Sequence, residues 1–246
     1  MIEVTREPGI VRLTIRRPEK KNALTRAMYD SLSEAVDTAA ADESIHAIVL
    51  AGCDGLFTAG NDLDDFRARA TDPDPKPSAG LAFIERLMRC DTPVIAAVEG
   101  IAIGIGTTLL FHCDMVIAAA SARFRTPFVD LGLSPEAAST VMGPLRMGFR
   151  RATDLLVLGE TLDGKAAVEA GLATSCVPDG EAETVALNRA RKLVEQPRDA
   201  LRASKRLMRA PWEEQAFAAL ERERDVFAER LQSDECRAVL DRMGKR

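Results

Sequence analysis

The sequence predicts an α/β core followed by a helical C-terminal region, and three observations predict it. Short apolar runs of strand length recur at residues 10–15, 47–51 and 94–98, as in Ala47-Ile48-Val49-Leu50-Ala51. Longer stretches with apolar residues at helical spacing lie between them, such as Met28, Leu32, Ala35 and Val36. Beyond Pro135 helical spacing takes over, with strand-like residues 174–177 as the exception. Strands alternating with helices, then a run of helices, make a layered α/β core with a helical appendage.

Ile10-Val11-Arg12-Leu13-Thr14-Ile15 alternates as a half-buried strand, and Pro18 ends it. Thr25 can cap a helix running to about Ala41. Residues 47–51 form a buried strand closed by Gly52, and Leu56-Phe57-Thr58 leads into Ala59-Gly60-Asn61-Asp62-Leu63. Residues 72–78, with Pro73, Pro75 and Pro77, read as a flexible surface loop. A helix follows through Leu81 to Arg89. Residues 94–98 and 114–119 are the next strands, with a short buried helix at 105–111 between them and a brief extended piece at 124–128. No repeat stands out. The expected organisation is a core at 1–196 and a C-terminal helical region at 197–246, divided near Gln196-Pro197.

A chain of 246 residues can bury a substantial core, and its 46% hydrophobic and 29% charged residues are those of an ordinary globular protein. The formal net charge of -5, with one Trp and one Tyr available for base stacking, argues against nucleic acid as a partner. Cys53, Cys90, Cys113, Cys176 and Cys236 are scattered and form no CxxC pair, which points to a reducing compartment. His46 and His112 are too few and too far apart to suggest a zinc site, and each reads as structural. No signal-peptide pattern opens the chain. The apolar stretch 94–111 contains Glu99 and three glycines, so a strand, a glycine loop and a helix start explain it better than a membrane span. These features predict a cytoplasmic protein with no membrane partner.

Two glycine-bearing turns each follow a strand: Phe57-Thr58-Ala59-Gly60-Asn61-Asp62-Leu63 and Glu99-Gly100-Ile101-Ala102-Ile103-Gly104-Ile105-Gly106. Glycine there lets backbone approach a ligand closely. If Ile105 and Gly106 open a helix, their N–H groups lie unpaired at the positive end of its dipole, a site suited to a developing anion. The second turn lacks dinucleotide and phosphate-loop spacing, and either turn alone could be an ordinary turn.

These turns, together with Arg17-Pro18-Glu19-Lys20-Lys21-Asn22-Ala23-Leu24, Thr92-Pro93-Val94-Ile95-Ala96-Ala97-Val98-Glu99-Gly100 and Cys113-Asp114, extend over nearly the whole chain. In them the sequence resembles the crotonase, or enoyl-CoA hydratase/isomerase, superfamily. The resemblance implies a ββα spiral core, an acyl-CoA thioester as substrate, and a trimer or dimer of trimers. It places the two oxyanion N–H groups at Asn61 and Ile105. The middle glycine of the family's triplet is replaced by Ile105 in Gly104-Ile105-Gly106, but the donor is a backbone group and survives. The surrounding Ala59, Gly60, Asp62, Leu63 and Gly104 would line the substrate, with Lys20, Ala23 and Leu24 toward the coenzyme A end. Lys20 and Lys21 read equally well as a solvated pair.

Where hydratases of this family carry two glutamates, this chain has Thr108 and Phe128, neither of which can activate water. The segment Phe124-Arg125-Thr126-Pro127-Phe128-Val129-Asp130-Leu131-Gly132-Leu133-Ser134-Pro135-Glu136 resembles monofunctional peroxisomal-type 3-enoyl to 2-enoyl-CoA isomerases. Gly60-Asn61-Asp62-Leu63 with Phe66, and Leu231-Gln232-Ser233-Asp234-Glu235-Cys236, fit the same group. That likeness implies Glu136 as the acid/base. On residues alone, Ser134-Pro135-Glu136 reads as an ordinary helix start, with Ser134 as N-cap and Pro135 in the first turn.

The implied reaction removes a proton at C2 and returns one at C4, a task one carboxylate can perform. The dienolate oxygen would be held by the N–H groups of Asn61 and Ile105. No metal or redox cofactor is needed, and coenzyme A is part of the substrate. Asp62 and Asp130 are rival acids. Alternatives are hydration or other crotonase-type thioester chemistry, and a non-catalytic acyl-CoA binder or scaffold. Phe217, Leu220, Phe227, Leu231 and Val239, interleaved with Arg222, Glu223, Arg224 and Asp225, predict amphipathic tail helices.

Overall fold

A computed structural model describes residues 1–72 and 78–243. The expected proline-rich loop falls mostly on residues 73–77, outside the described residues. In chain order, β1 (Ile2–Glu7) and β2 (Ile10–Ile15) form a hairpin, and α1 (Arg26–Ala41) returns the chain to β3 (Ala47–Ala51). Then come α2 (Leu63–Thr71), α3 (Ala79–Arg89), β4 (Val94–Val98), β5 (Ile101–Ile103) and α4 (Ile105–Thr108). Next are β6 (Met115–Ala119), β7 (Arg123–Arg125), α5 (Ser139–Met147), α6 (Phe149–Leu156), β8 (Leu162–Asp163) and α7 (Gly164–Ala170). β9 (Ser175–Val177), α8 (Ala182–Val194), α9 (Arg198–Leu231) and α10 (Asp234–Met243) complete the order.

The main sheet has the order β1-β2-β3-β4-β6-β9, parallel from β2 onward. β3 and β4 are buried along their whole length, which is why they read as unbroken apolar runs rather than alternating ones. One sheet face packs on α8 through Ala182, Ala186 and Ala190. The other packs on the main core, to which α1 and α3 contribute Leu32, Val36, Phe83 and Ile84. Each such apolar side chain, fully buried, contributes about 1.5–3 kcal/mol. A second small sheet, β5-β7-β8, stands beside the first. The mixed α/β class with a helical C-terminal region therefore holds.

The Thr25 cap is present: its hydroxyl accepts from the Met28 N–H at 3.4 Å. Four local expectations change. The helix expected at 105–111 divides into α4 and a 3₁₀ turn, Leu109–His112. Residues 101–103, read as part of a turn, pair as β5 with β7. The helix expected from Pro135 begins at Ser139, because Ala137 and Ala138 take left-handed φ values of +65° and +56°. Ser134 is therefore not a helix cap. Last, Glu223 lies on the buried side of α9, not among the exposed charges around it.

At about 1.5 Å per residue, the 34 residues of α9 reach roughly 51 Å across the core. Basic side chains anchor it to carbonyl ends of core elements: Arg202 to Ala40 at 2.7 Å, Lys205 to Thr92 at 3.0 Å and Arg209 to Cys90 at 3.1 Å. Its far half, with Phe227 and Leu231, packs on Phe128, Leu133 and Leu156.

Candidate active site

The loop before α1 and the turn before α2 are stitched together by their backbones. Leu24 N–H donates to the Gly60 carbonyl at 2.8 Å, and Asp62 N–H donates to the Leu24 carbonyl at 2.9 Å. In a parallel bridge of this kind the bonds come from the residues on either side, so the N–H of Asn61 points away from Leu24. Buried Asn22 holds the same junction, donating to the carbonyls of Cys53 at 3.1 Å and Leu56 at 2.8 Å.

The second turn is pressed against the first. A Cβ placed on Gly60 would lie 2.4 Å from the Ile103 carbonyl oxygen and 3.8 Å from the Ile105 nitrogen. Ile105 is the first residue of α4, so no carbonyl within the helix can accept from its N–H. The N–H groups of Asn61 and Ile105 are thus brought to one place on adjoining backbones. The bulk of Ile105 is accommodated by a glycine opposite, since a Cβ on Gly80 would come within 2.9 Å of Ile105 Cδ1.

A cleft of about 280 Å³ opens over this junction, lined in part by Leu24, Tyr29, Asn61, Asp62, Phe66 and Gly80. Tyr29, the only tyrosine in the chain, donates from its hydroxyl to Asn61 Oδ1 at 2.8 Å. Burial, reinforced by the nearby negative charge of Glu136, raises the Tyr29 phenol well above its ordinary value. Glu136 therefore lies near enough to Tyr29, one of the residues lining the cleft, for its charge to be felt there. Glu136 is 4% exposed, and the Thr108 hydroxyl stands 3.4 Å from its Oε1.

The two rival acids are engaged elsewhere. Asp62 Oδ2 accepts from Arg17 at 2.5 Å, while Oδ1 caps α2 by accepting from the N–H groups of Asp64 and Asp65. Burial works to raise the Asp62 carboxyl, but Arg17 and these N–H groups outweigh it and hold it below its ordinary value. Asp130 is exposed and pairs with Arg125 at 2.7 Å. Phe128, in the second hydratase position, is buried edge-on against Phe227.

The remaining expected residues divide. Ala23 and Leu24 are buried beside the turn, with Arg17 donating to the Ala23 carbonyl at 3.1 Å. Ala59 N–H is tied to the Lys21 carbonyl at 3.0 Å, and Gly104 N–H to the Arg125 carbonyl at 2.8 Å. Leu63 is 45% exposed at the start of α2, and Lys20 is exposed with its Nζ 3.9 Å from Asp64. Sequence reading missed Arg17 as the partner of Asp62 and Tyr29 as part of the cleft. Tyr29 could have been found by its place among Met28, Leu32 and Val36 on the inward face of α1.

The left-handed turn after Glu136 has its own supports. Non-glycine residues in this region cost about 1–3 kcal/mol each and persist only where neighbours over-determine them. His112 Nε2 lies 2.7 Å from the Ala137 carbonyl, which can only accept, so that nitrogen carries a proton. Burial lowers the His112 imidazole to about 4, against the opposing pull of the Ala137 carbonyl and with help from Arg146. On the other side Glu223 accepts from the Thr140 N–H at 2.8 Å and from the Thr140 hydroxyl. Burial raises the Glu223 carboxyl, and its Thr140 bonds offset only part of that rise.

Among known proteins, the family profile described as Enoyl-CoA hydratase/isomerase matches residues 5–245. Enoyl-CoA delta isomerase 2 of Rattus norvegicus is 34% identical over 239 residues, 96% of this chain and 61% of that protein. The chain therefore spans somewhat under two thirds of that relative's length. The 2,3-dehydroadipyl-CoA hydratase of Escherichia coli is 34% identical over 227 residues, 91% of this chain and 88% of that one. Among solved structures, OdaA of Pseudomonas aeruginosa superposes with a TM-score of 0.95 at 40% identity, covering 100% of this chain and 99% of that one.

Proposed function

Because the chain belongs to the enoyl-CoA hydratase/isomerase family, we propose that it is an isomerase moving the double bond of a 3-enoyl-CoA thioester to the 2-position. The thioester oxygen sits between the N–H groups of Asn61 and Ile105. Glu136 takes a proton from C2, the electron pair delocalises into a dienolate, and the same carboxyl returns a proton to C4. Donors fixed in folded backbone need no reorganisation as charge develops on that oxygen, which is where such a site gains its advantage. Ala59, Gly60, Leu63 and Gly104 shape the turn around the acyl group, and Lys20, Ala23 and Leu24 lie toward coenzyme A. The chemistry calls for no metal or redox cofactor.

One observation carries this reading. Among the described residues three carboxylates are buried: Asp62, Glu136 and Glu223. Asp62 is held by Arg17 and α2, and Glu223 by Thr140 at the start of α5. Glu136 is the one that meets Thr108 at 3.4 Å and whose charge is felt at Tyr29, a residue lining the cleft. Likeness to a hydratase favours water addition as a second reading, but Thr108 and Phe128 leave that reaction without its usual pair of carboxylates.

A panel of 3-enoyl-CoA and 2-enoyl-CoA substrates, followed at the conjugated thioester band, separates the possibilities. The expected result is isomerisation with weak or absent hydration of crotonyl-CoA. Hydration at a rate comparable to isomerisation would favour the hydratase. Binding without turnover of any thioester would favour a scaffold.

The proposed assembly is a homo-oligomer, a trimer or a dimer of trimers. Met208 and Trp212 on α9 are exposed along a groove of about 620 Å³ that also meets Met142 and Leu145. Apolar surface gathered in this way favours a protein partner, and cyclic symmetry would cover it without leaving an open edge. Among the described residues no helix is long and apolar enough to cross a membrane. Light scattering is expected to give at least three times the 26.7 kDa of one chain, and a monomer mass would refute the assembly.

A further inference from the structure

The long helix α9 meets the segment around Glu136 through Phe227 and Leu231, through Arg230, which donates to the Gly132 carbonyl at 3.1 Å, and through the carboxylate of Glu223. α5 begins at Ser139 with Ala138 as its N-cap, a residue with no side chain able to satisfy the exposed N–H groups of the first turn. Glu223, 83 residues away and 6% exposed, supplies the missing acceptor by taking hydrogen bonds from the Thr140 N–H and hydroxyl. The N–H groups of Ala138 and Ser139 add to the positive field around it. His112 holds the Ala137 carbonyl at 2.7 Å. Ala137 and Ala138, both left-handed, therefore lie between two anchored points, the Ala137 carbonyl held by His112 and Thr140 held by Glu223. Glu136 is the residue immediately before them, so the direction of its carboxylate is fixed by how that pair is held.

We propose that Glu223 is a positioning residue that aims Glu136 into the cleft by capping α5 across the left-handed turn. The proposal rests on the reading of Glu136 as the acid/base. An ordinary packing residue at 223 would fill the same space, but it would leave the Thr140 N–H without an acceptor, while Ser139 and Val141 keep their bonds to the Glu136 and Ala138 carbonyls, and the turn would be free to relax toward right-handed geometry. Relaxation would rotate Glu136 while leaving the Asn61 and Ile105 backbone in place, so turnover suffers and thioester binding does not. Capping also gives α9 a role in the site beyond covering apolar surface.

The test uses the full chain and a 3-enoyl-CoA, with folding checked by circular dichroism. Glu223→Ala is expected to lower kcat at least about thirtyfold with KM within about threefold of wild type. In the Glu136→Gln background, adding Glu223→Ala should change residual turnover by less than about twofold, because the effect passes through Glu136. Thr140→Val, which loses the hydroxyl but not the shape, is expected to lower kcat about fivefold or more, and Thr140→Ser to keep it within about twofold. A folded Glu223→Ala with unchanged kcat, or a full additional loss in the double variant, overturns the positioning role. If Glu223→Ala does not fold, equal kcat for Thr140→Val and Thr140→Ser overturns it. Undiminished turnover in Glu136→Gln alone would instead remove the reading on which the proposal stands.

Discussion

Glu136→Gln is expected to lower turnover of a 3-enoyl-CoA at least about a hundredfold while leaving thioester binding within about threefold of wild type. Glutamine has the shape of glutamate, and its amide oxygen can still accept from the Thr108 hydroxyl that stands 3.4 Å from Oε1. Ala137 and Ala138 keep their supports from His112 and Glu223, so the turn has no reason to move. What is lost is the ability to carry a proton. The proposed oxyanion donors are backbone groups on other elements, which is why binding should survive. Steady-state kinetics with a binding titration measures both, and a variant turning over within about threefold of wild type would remove Glu136 from the mechanism.

Gly60→Ala should cost about as much by a different route, roughly a hundredfold or more in kcat, the scale on which one lost oxyanion donor is felt. Gly60 has φ of +86°, and an added Cβ would lie 2.4 Å from the Ile103 carbonyl oxygen. The obstructing atom belongs to the backbone of a strand, so it cannot swing aside as a flexible side chain would. The two turns must part, and the Asn61 and Ile105 N–H groups with them. Gly104 offers the contrast: its φ is +57°, yet a Cβ there meets nothing within 4 Å. Gly104→Ala carries local strain only, and its loss should be several times smaller. Kinetics on both variants, with thermal unfolding to confirm folding, compares them directly. Equal effects, or a fully active folded Gly60→Ala, would mean that the close approach of the two turns is unimportant to the reaction.

Much of the core was readable because burial on both faces leaves a plain mark. β3 and β4 show as unbroken aliphatic runs, and α1 shows through its Thr25 cap and inward-facing Leu32 and Val36. β1 and α2 were missed for the opposite reason. β1 is an edge strand whose side chains include Glu3, Arg6 and Glu7, and α2 is mostly polar and starts on the Asp62 cap. Ser134-Pro135-Glu136 misled because its local signal is that of a helix start, whereas contacts from His112 and Glu223 decide the turn. Those contacts join residues 25 and 83 positions apart, and no local window contains them. Glu223 itself sits among Arg222, Arg224 and Asp225 and looks like one more exposed charge. The two glycine-bearing turns were legible as motifs, but their closeness to each other was not.

The most direct test of a single buried carboxylate moving the proton is isotopic. A 3-enoyl-CoA deuterated at C2 is converted by the wild-type protein under single-turnover conditions, and the product is read by mass spectrometry and NMR. The account predicts a 2-enoyl-CoA with no added water and part of the deuterium transferred to C4. A product one water heavier, or an isomer with no label at C4, would contradict it.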